Sequence, residues 1–229
     1  MSNRIPLAIV FAGIVIAFAL YSTFEKPSTH STAALIRPVD TSDHILGNPV
    51  APVMIVEYTD FDCTDCKGLH TILHQLIAHT GTRGAAAWVL REFPDTDLHP
   101  NAFSHARAAE CIADVAGNRA FWEFADELFA RQPVSPSDYG TLAASIGISG
   151  NTFATCYAST DTTRAKRISA DHENAIALGA QTAPFTLILV QGQEPIVLEG
   201  PYTYDAVKGV VDQVLTTLQS NSPSTSPNR

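Results

Sequence analysis

Apolar and polar positions change period in a regular order along the chain. Val53, Met54, Ile55 and Val56 form a β-branched apolar run that stops at the turn-forming Thr59, Asp60, Phe61 and Asp62, which predicts a buried strand. Beyond Cys66, apolar side chains recur at Leu69, Leu73, Leu76 and Ile77, the spacing of a helix that packs one stripe inward. Residues 85–92 (AAAWVLRE) form the next strand candidate, ended by Phe93 and Pro94. Helical patterns follow over 102–116 and 120–131, the second with a core face of Phe121, Trp122, Ala125, Leu128 and Phe129. Shorter helices are predicted over 135–148 and 152–157 and a longer one over 162–178. Apolar runs at 186–190 and 196–198, separated by a turn at 191–194, predict a hairpin, and a helix over 204–218 closes the pattern. Residues 220–229 are polar and read as a disordered tail.

The amino terminus differs from all of this. Residues 5–20 carry no charge and Tyr21 to Phe24 prolong the run, giving about 20 residues or about 30 Å of helix. Arg4 precedes it, so the expectation is an uncleaved membrane anchor over residues 1–24 with its amino terminus in the cytoplasm. A cleaved signal segment is the alternative, because Ala17, Phe18 and Ala19 resemble a signal-peptidase site, although no polar stretch precedes them. Either way the remainder is exported, as a single-pass cell-membrane protein with its domain on the extracytoplasmic side if the anchor is kept. Residues 25–43, rich in Ser, Thr and Pro, read as a linker. The rest of the 229 residues, 45% hydrophobic and 16% charged overall, can bury one full core. The formal charge of −9 argues against a nucleic-acid partner.

Chemistry concentrates at Cys63 and Cys66, placed between the first strand and its helix. At a helix start the unpaired N–H groups and the positive dipole end stabilise an anion, which lowers the pKa of the first thiol. A Cys-x-x-Cys in that position points to thiol redox chemistry in an exported chain, where disulfides persist. Two other readings remain. Cys63, Cys66, His70 and His74 share roughly one helical stripe, so a metal-binding or delivery module using Cys63, Cys66 and His70 is conceivable. One ion cannot reach all four, because positions 63 and 74 lie about 16 Å apart along a helix. The thiols could also be merely structural. His99 either approaches them or caps the following helix.

The segment Glu57-Tyr58-Thr59-Asp60-Phe61-Asp62-Cys63-Thr64-Asp65-Cys66-Lys67 resembles the active-site region of DsbA-like thiol:disulfide oxidoreductases, a thioredoxin-fold family. The resemblance covers about residues 44–219 and implies an α/β thioredoxin-like fold with a helical insertion at about 101–160. It implies that Cys63 attacks, Cys66 resolves, Glu57 assists proton transfer and Pro184 is the family's cis-proline. Thr64, Asp65 and the backbone of Ala183 would then meet substrate. Thr64-Asp65 departs from the family's usual dipeptide and Ala183 from its usual residue before the proline; with Asp60, Asp62 and Asp65 crowding the site, the Asp65 carboxylate is expected to oppose the Cys63 thiolate. Cys111 and Cys156, the remaining pair, suggest a structural disulfide such as some family members carry in the insert, with two separately buried thiols as the alternative. The implied activity is disulfide exchange with cysteine-containing exported proteins, in the oxidising direction, with a membrane redox partner restoring the active-site disulfide and the bilayer holding the amino-terminal helix. A reductase or isomerase is the alternative on the same fold, and no organic cofactor is required.

Overall fold

A computed structural model describes residues 32–80, 84–200 and 202–221. The proposed membrane segment at 1–24 lies outside these residues, and among the described residues no helix is long and apolar enough to cross a membrane. The elements in chain order are α1 (Thr32–Leu35), β1 (His44–Gly47), β2 (Val53–Thr59), α2 (Thr64–Thr80), β3 (Ala86–Glu92), α3 (Ala102–Ala130), a 3-10 turn (Pro136–Asp138), α4 (Tyr139–Ser145), α5 (Gly150–Tyr157), α6 (Thr163–Ala177), β4 (Phe185–Val190), β5 (Ile196–Glu199) and α7 (Tyr204–Asn221).

The strands form one sheet in the order β1-β3-β2-β4-β5, with β2 parallel to β3 and every other pairing antiparallel. The apolar run of β2 sits at the centre because it is covered on both faces. Side chains alternate along a strand. Val53 and Ile55 therefore join the core that contains Cys66, Leu69, Leu73 and Leu76 of α2, while Val56 and Tyr58 join the opposite core with Val89, Phe185 and Leu187. Glu57 continues the first alternation, which puts a carboxyl on the face that α2 covers. The stripe predicted for α2 is buried as expected, with His70 added to it.

Two features depart from the sequence pattern. The predicted linker is packed from Ile36 onward: Ile36 and Val39 rest on the second core, and β1 adds an edge strand whose Leu46 pairs with Trp88. The reason is Arg91, whose fully buried side chain donates to Asp43 Oδ1 at 2.9 Å, to the Tyr58 hydroxyl at 2.9 Å and to the carbonyls of Arg37 and Pro38 at 2.9 and 3.2 Å. Those partners satisfy a charge that would otherwise be costly to bury, and they tie residues 37–43 to the sheet. Second, α7 continues to Asn221; the rest of the expected tail lies outside the described residues. The two helices expected at 102–116 and 120–131 are both present as the two halves of α3, which meet at the non-helical Gly117, whose φ of 81° is open to glycine but costly for other residues.

The helices α3 to α5 form the insertion between β3 and β4, and α6 brings the chain back to the sheet, with Asn174 Oδ1 accepting from the Tyr58 hydroxyl at 2.6 Å. A disulfide joins Cys111 of α3 to Cys156 of α5, their Cα atoms 6.0 Å apart and their positions 45 residues apart in the chain. In the chain-entropy description, closing a loop of this length contributes about 4 kcal/mol. Replacing both cysteines with serine is expected to lower the free energy of unfolding, read from denaturant titration, by an amount of that order while leaving exchange at Cys63 and Cys66 intact. A double variant as stable as the parent would remove the bridge from the account of the insert.

Candidate active site

The end of β2, the loop after it and the start of α2 build the site. Asp60 organises the loop: its Oδ1 accepts from the Asp62 N–H at 2.8 Å, and its Oδ2 accepts from the Asp95 N–H at 2.9 Å and contacts His99 Nδ1 at 3.0 Å. Gln132, just past the end of α3, donates Nε2 to the carbonyl of Phe61 at 2.7 Å and to that of Cys63 at 3.2 Å. Cys63 is the residue on which the helix starts, since its carbonyl accepts from the Lys67 N–H at 3.2 Å. The Cys66 N–H, one of the groups a helix start leaves unpaired, donates to Cys63 Sγ at 3.1 Å.

The two thiols are free and differ in environment. The hydrogen bond from the Cys66 side chain is the largest influence on Cys63 and holds its pKa below the ordinary 9.0; burial opposes it, the Cys66 N–H adds to it, the Asp60 carboxylate opposes, and the Asp65 N–H again assists. Burial pushes Cys66 well above the ordinary thiol value, and the neighbouring Cys63 and Glu57 push it further. Cys63 is thus the thiol that ionises and Cys66 the one that keeps its proton.

Glu57 is fully buried and neither of its oxygens has a hydrogen-bond partner. Burial raises its pKa to about 8; Thr59 and Trp88, close but outside hydrogen-bonding geometry, lower it, and Cys63 raises it. At neutral pH this carboxyl is a neutral acid close to both sulfurs. Burial works against the charge of His99, but Asp60 outweighs it and raises the His99 pKa, with Cys63 contributing. A second histidine, His105, is held between the Tyr139 hydroxyl at 2.6 Å and Asp62 at 3.7 Å.

Ala183, far off in sequence, closes the site: the Cys63 thiol faces its carbonyl at 3.7 Å, and the peptide joining it to the buried Pro184 is cis. Thr64 and Asp65 are exposed at the rim. The expected opposition of the Asp65 carboxylate is corrected here: Asp65 acts on the thiolate through its backbone N–H, and the opposing charge is Asp60. His70 does not join the thiols. Its Nε2 meets Asp126 at 2.7 Å, and the sets of three converging donors among the described residues contain no cysteine. Gln132 and Asp126 gave no signal in the sequence, because isolated polar residues carry no period and their partners lie more than fifty positions away; Asp60 is visible there only as one of three carboxylates beside the cysteines.

Two outcomes follow. Alkylation of Cys63 as a function of pH should show a midpoint below 9.0. Asp65→Asn should move it by less than about 0.3 units, since an exposed charge is screened. Glu57 should contribute a fall of about 1.4 kcal/mol per pH unit to the free energy of unfolding between 4.5 and about 8, because the unfolded chain releases the proton that the folded chain retains. Glu57→Gln should flatten that slope and be the more stable protein at pH 9; an unchanged slope would place the raised pKa elsewhere.

A family model described as Thioredoxin matches residues 40–213. Among solved structures, the chain is similar to the thiol-disulfide exchange protein alpha-DsbA2 from Wolbachia pipientis, at a TM-score of 0.65 and 19% identity over 76% of this chain and 88% of that one. It is similar also to oxidised BdbD from Bacillus subtilis, at 0.67 and 22% over 79% and 96%. A curated relative, the Na(+)/H(+) antiporter NhaA 1 of Mycolicibacterium gilvum, is 34% identical over 183 residues, which are 76% of this chain and 29% of the antiporter. The chain thus spans less than a third of that relative's length.

Proposed function

Since the chain belongs to the thioredoxin family, with a fold shared by DsbA proteins, we propose that it is a thiol–disulfide oxidoreductase which oxidises pairs of thiols in exported proteins. One observation carries the reading: two free thiols one helical turn apart, the first stabilised as an anion by the side chain of the second and by the helix start, and the second buried and protonated beside a neutral carboxyl.

In the oxidised protein Cys63 and Cys66 share a disulfide. A substrate thiolate attacks Cys63 Sγ, the Cys63–Cys66 bond breaks, and Cys66 leaves as a thiolate that takes the proton held by Glu57. A second substrate thiolate then attacks the substrate sulfur of the mixed disulfide, releasing Cys63 as a thiolate. The substrate loses two electrons to the protein, and a membrane redox partner removes them from the dithiol. The Ala183 carbonyl beside Cys63 supports docking of an extended substrate segment there, with Thr64 and Asp65 at its edge. Stabilising the Cys63 thiolate stabilises the reduced form, which favours the oxidising direction; the buried Asp60 charge moderates it. Reduction or isomerisation uses the same atoms with Cys63 as attacker. The apolar residues 5–24 behind Arg4 support an extracytoplasmic domain anchored in the bilayer.

Cys66→Ser should accumulate mixed disulfides between Cys63 and exported proteins, visible on non-reducing gels and abolished by reductant, whereas Cys63→Ser should accumulate none. Trapping by Cys63→Ser in place of Cys66→Ser would reverse the roles of the two sulfurs.

A further inference from the structure

Away from the sulfurs, α2 carries a second cluster that the exchange chemistry does not use. His70 and His74 are four residues apart on one face of the helix, and Asp126 reaches them from α3. Asp126 Oδ1 lies 2.7 Å from Nε2 of each ring, and the two Nε2 atoms lie 3.2 Å apart. Three donor atoms thus converge on one point from two elements. We propose that His70, His74 and Asp126 form a binding site for a divalent first-row transition ion, of which zinc is the representative.

The distances suit such an ion. With zinc–nitrogen and zinc–oxygen bonds of about 2.0–2.2 Å, neighbouring ligand atoms stand roughly 3.3 Å apart in a tetrahedron, so opening the observed triangle by a few tenths of an ångström admits the ion. The donor set, two imidazoles and one carboxylate, is the chemistry that holds zinc or ferrous iron while leaving coordination positions free. One edge is rigid and the other accessible. The His70 ring is buried and surrounded by Trp88, Trp122 and Phe129, at centroid distances of 5.0, 6.4 and 4.4 Å. The side chains of His74 and Asp126 are 34% and 49% exposed, so solvent completes the coordination. Without an ion, one carboxylate oxygen has to serve both imidazoles. A bound ion would cross-link the helix that carries Cys66 to the insert.

The cluster is independent of the thiol chemistry and is testable without it. Titrating zinc into the purified full chain carrying Cys63→Ser and Cys66→Ser, which removes thiolate ligands, should show one bound equivalent by calorimetry and a rise in melting temperature. Cobalt at the same site should give visible bands lacking sulfur charge transfer. Adding Asp126→Asn or His74→Ala should weaken zinc binding by at least about tenfold. Asp126 is half-exposed, so its variant keeps the test sound if the histidine variant folds poorly. No zinc uptake by the parent at millimolar metal, or uptake unchanged by Asp126→Asn, would overturn the proposal.

Discussion

The hydrogen bond from the Cys66 N–H to Cys63 Sγ is the contact on which the rest of the site depends. It exists because a helix must begin somewhere, and beginning it at Cys63 leaves backbone donors with no helical partner. A strand that ends in a tight loop puts that beginning at the edge of the sheet, where a sulfur is reachable, while the next turn of the same helix sinks the second sulfur into the core. The difference between the two thiols is therefore a difference of depth along one helix. Glu57 extends the same logic. The period of β2 assigns its position to the covered face, and a carboxyl there cannot remain ionised at neutral pH without a partner.

That depth gradient was legible in the sequence, since a β-branched run, a polar loop, two cysteines and an apolar stripe form one continuous local pattern. The strands β2 to β5, the hairpin and the helices follow from periods of 2 and 3.6, while the role of Glu57 and the placing of the insert came with the family resemblance. What the pattern hid are residues whose roles come from distant partners. Arg91 closes a strand that otherwise reads as apolar, and nothing near it in sequence reveals that Asp43 and the carbonyls of residues 37 and 38 converge on its guanidinium. The packed segment before β1 was read as a linker for that reason. Asp65, next to the cysteines in sequence, drew attention that belongs to Asp60, because adjacency along the chain says little about which carboxylate a loop turns inward.

The insert does more than cover one face of the sheet. Gln132 holds two carbonyls of the active-site loop, His105 reaches Asp62, and Asp126 meets His70 and His74 of α2. The loop between β2 and α2 is thus gripped from the insert as well as from its own strand. Because Gln132 follows directly on α3, the carboxyl end of that helix is hydrogen-bonded to the carbonyl of Cys63 at the start of α2.

The bridge between Cys111 and Cys156 has a consequence for how the chain is made. The four cysteines emerge during synthesis in the order 63, 66, 111 and 156. Cys111 therefore lies 45 positions ahead of its partner, and its side chain is fully buried in the folded insert. The bridge can close only where α5 lies against α3, so forming it is tied to the packing of those helices rather than to the order in which sulfurs appear.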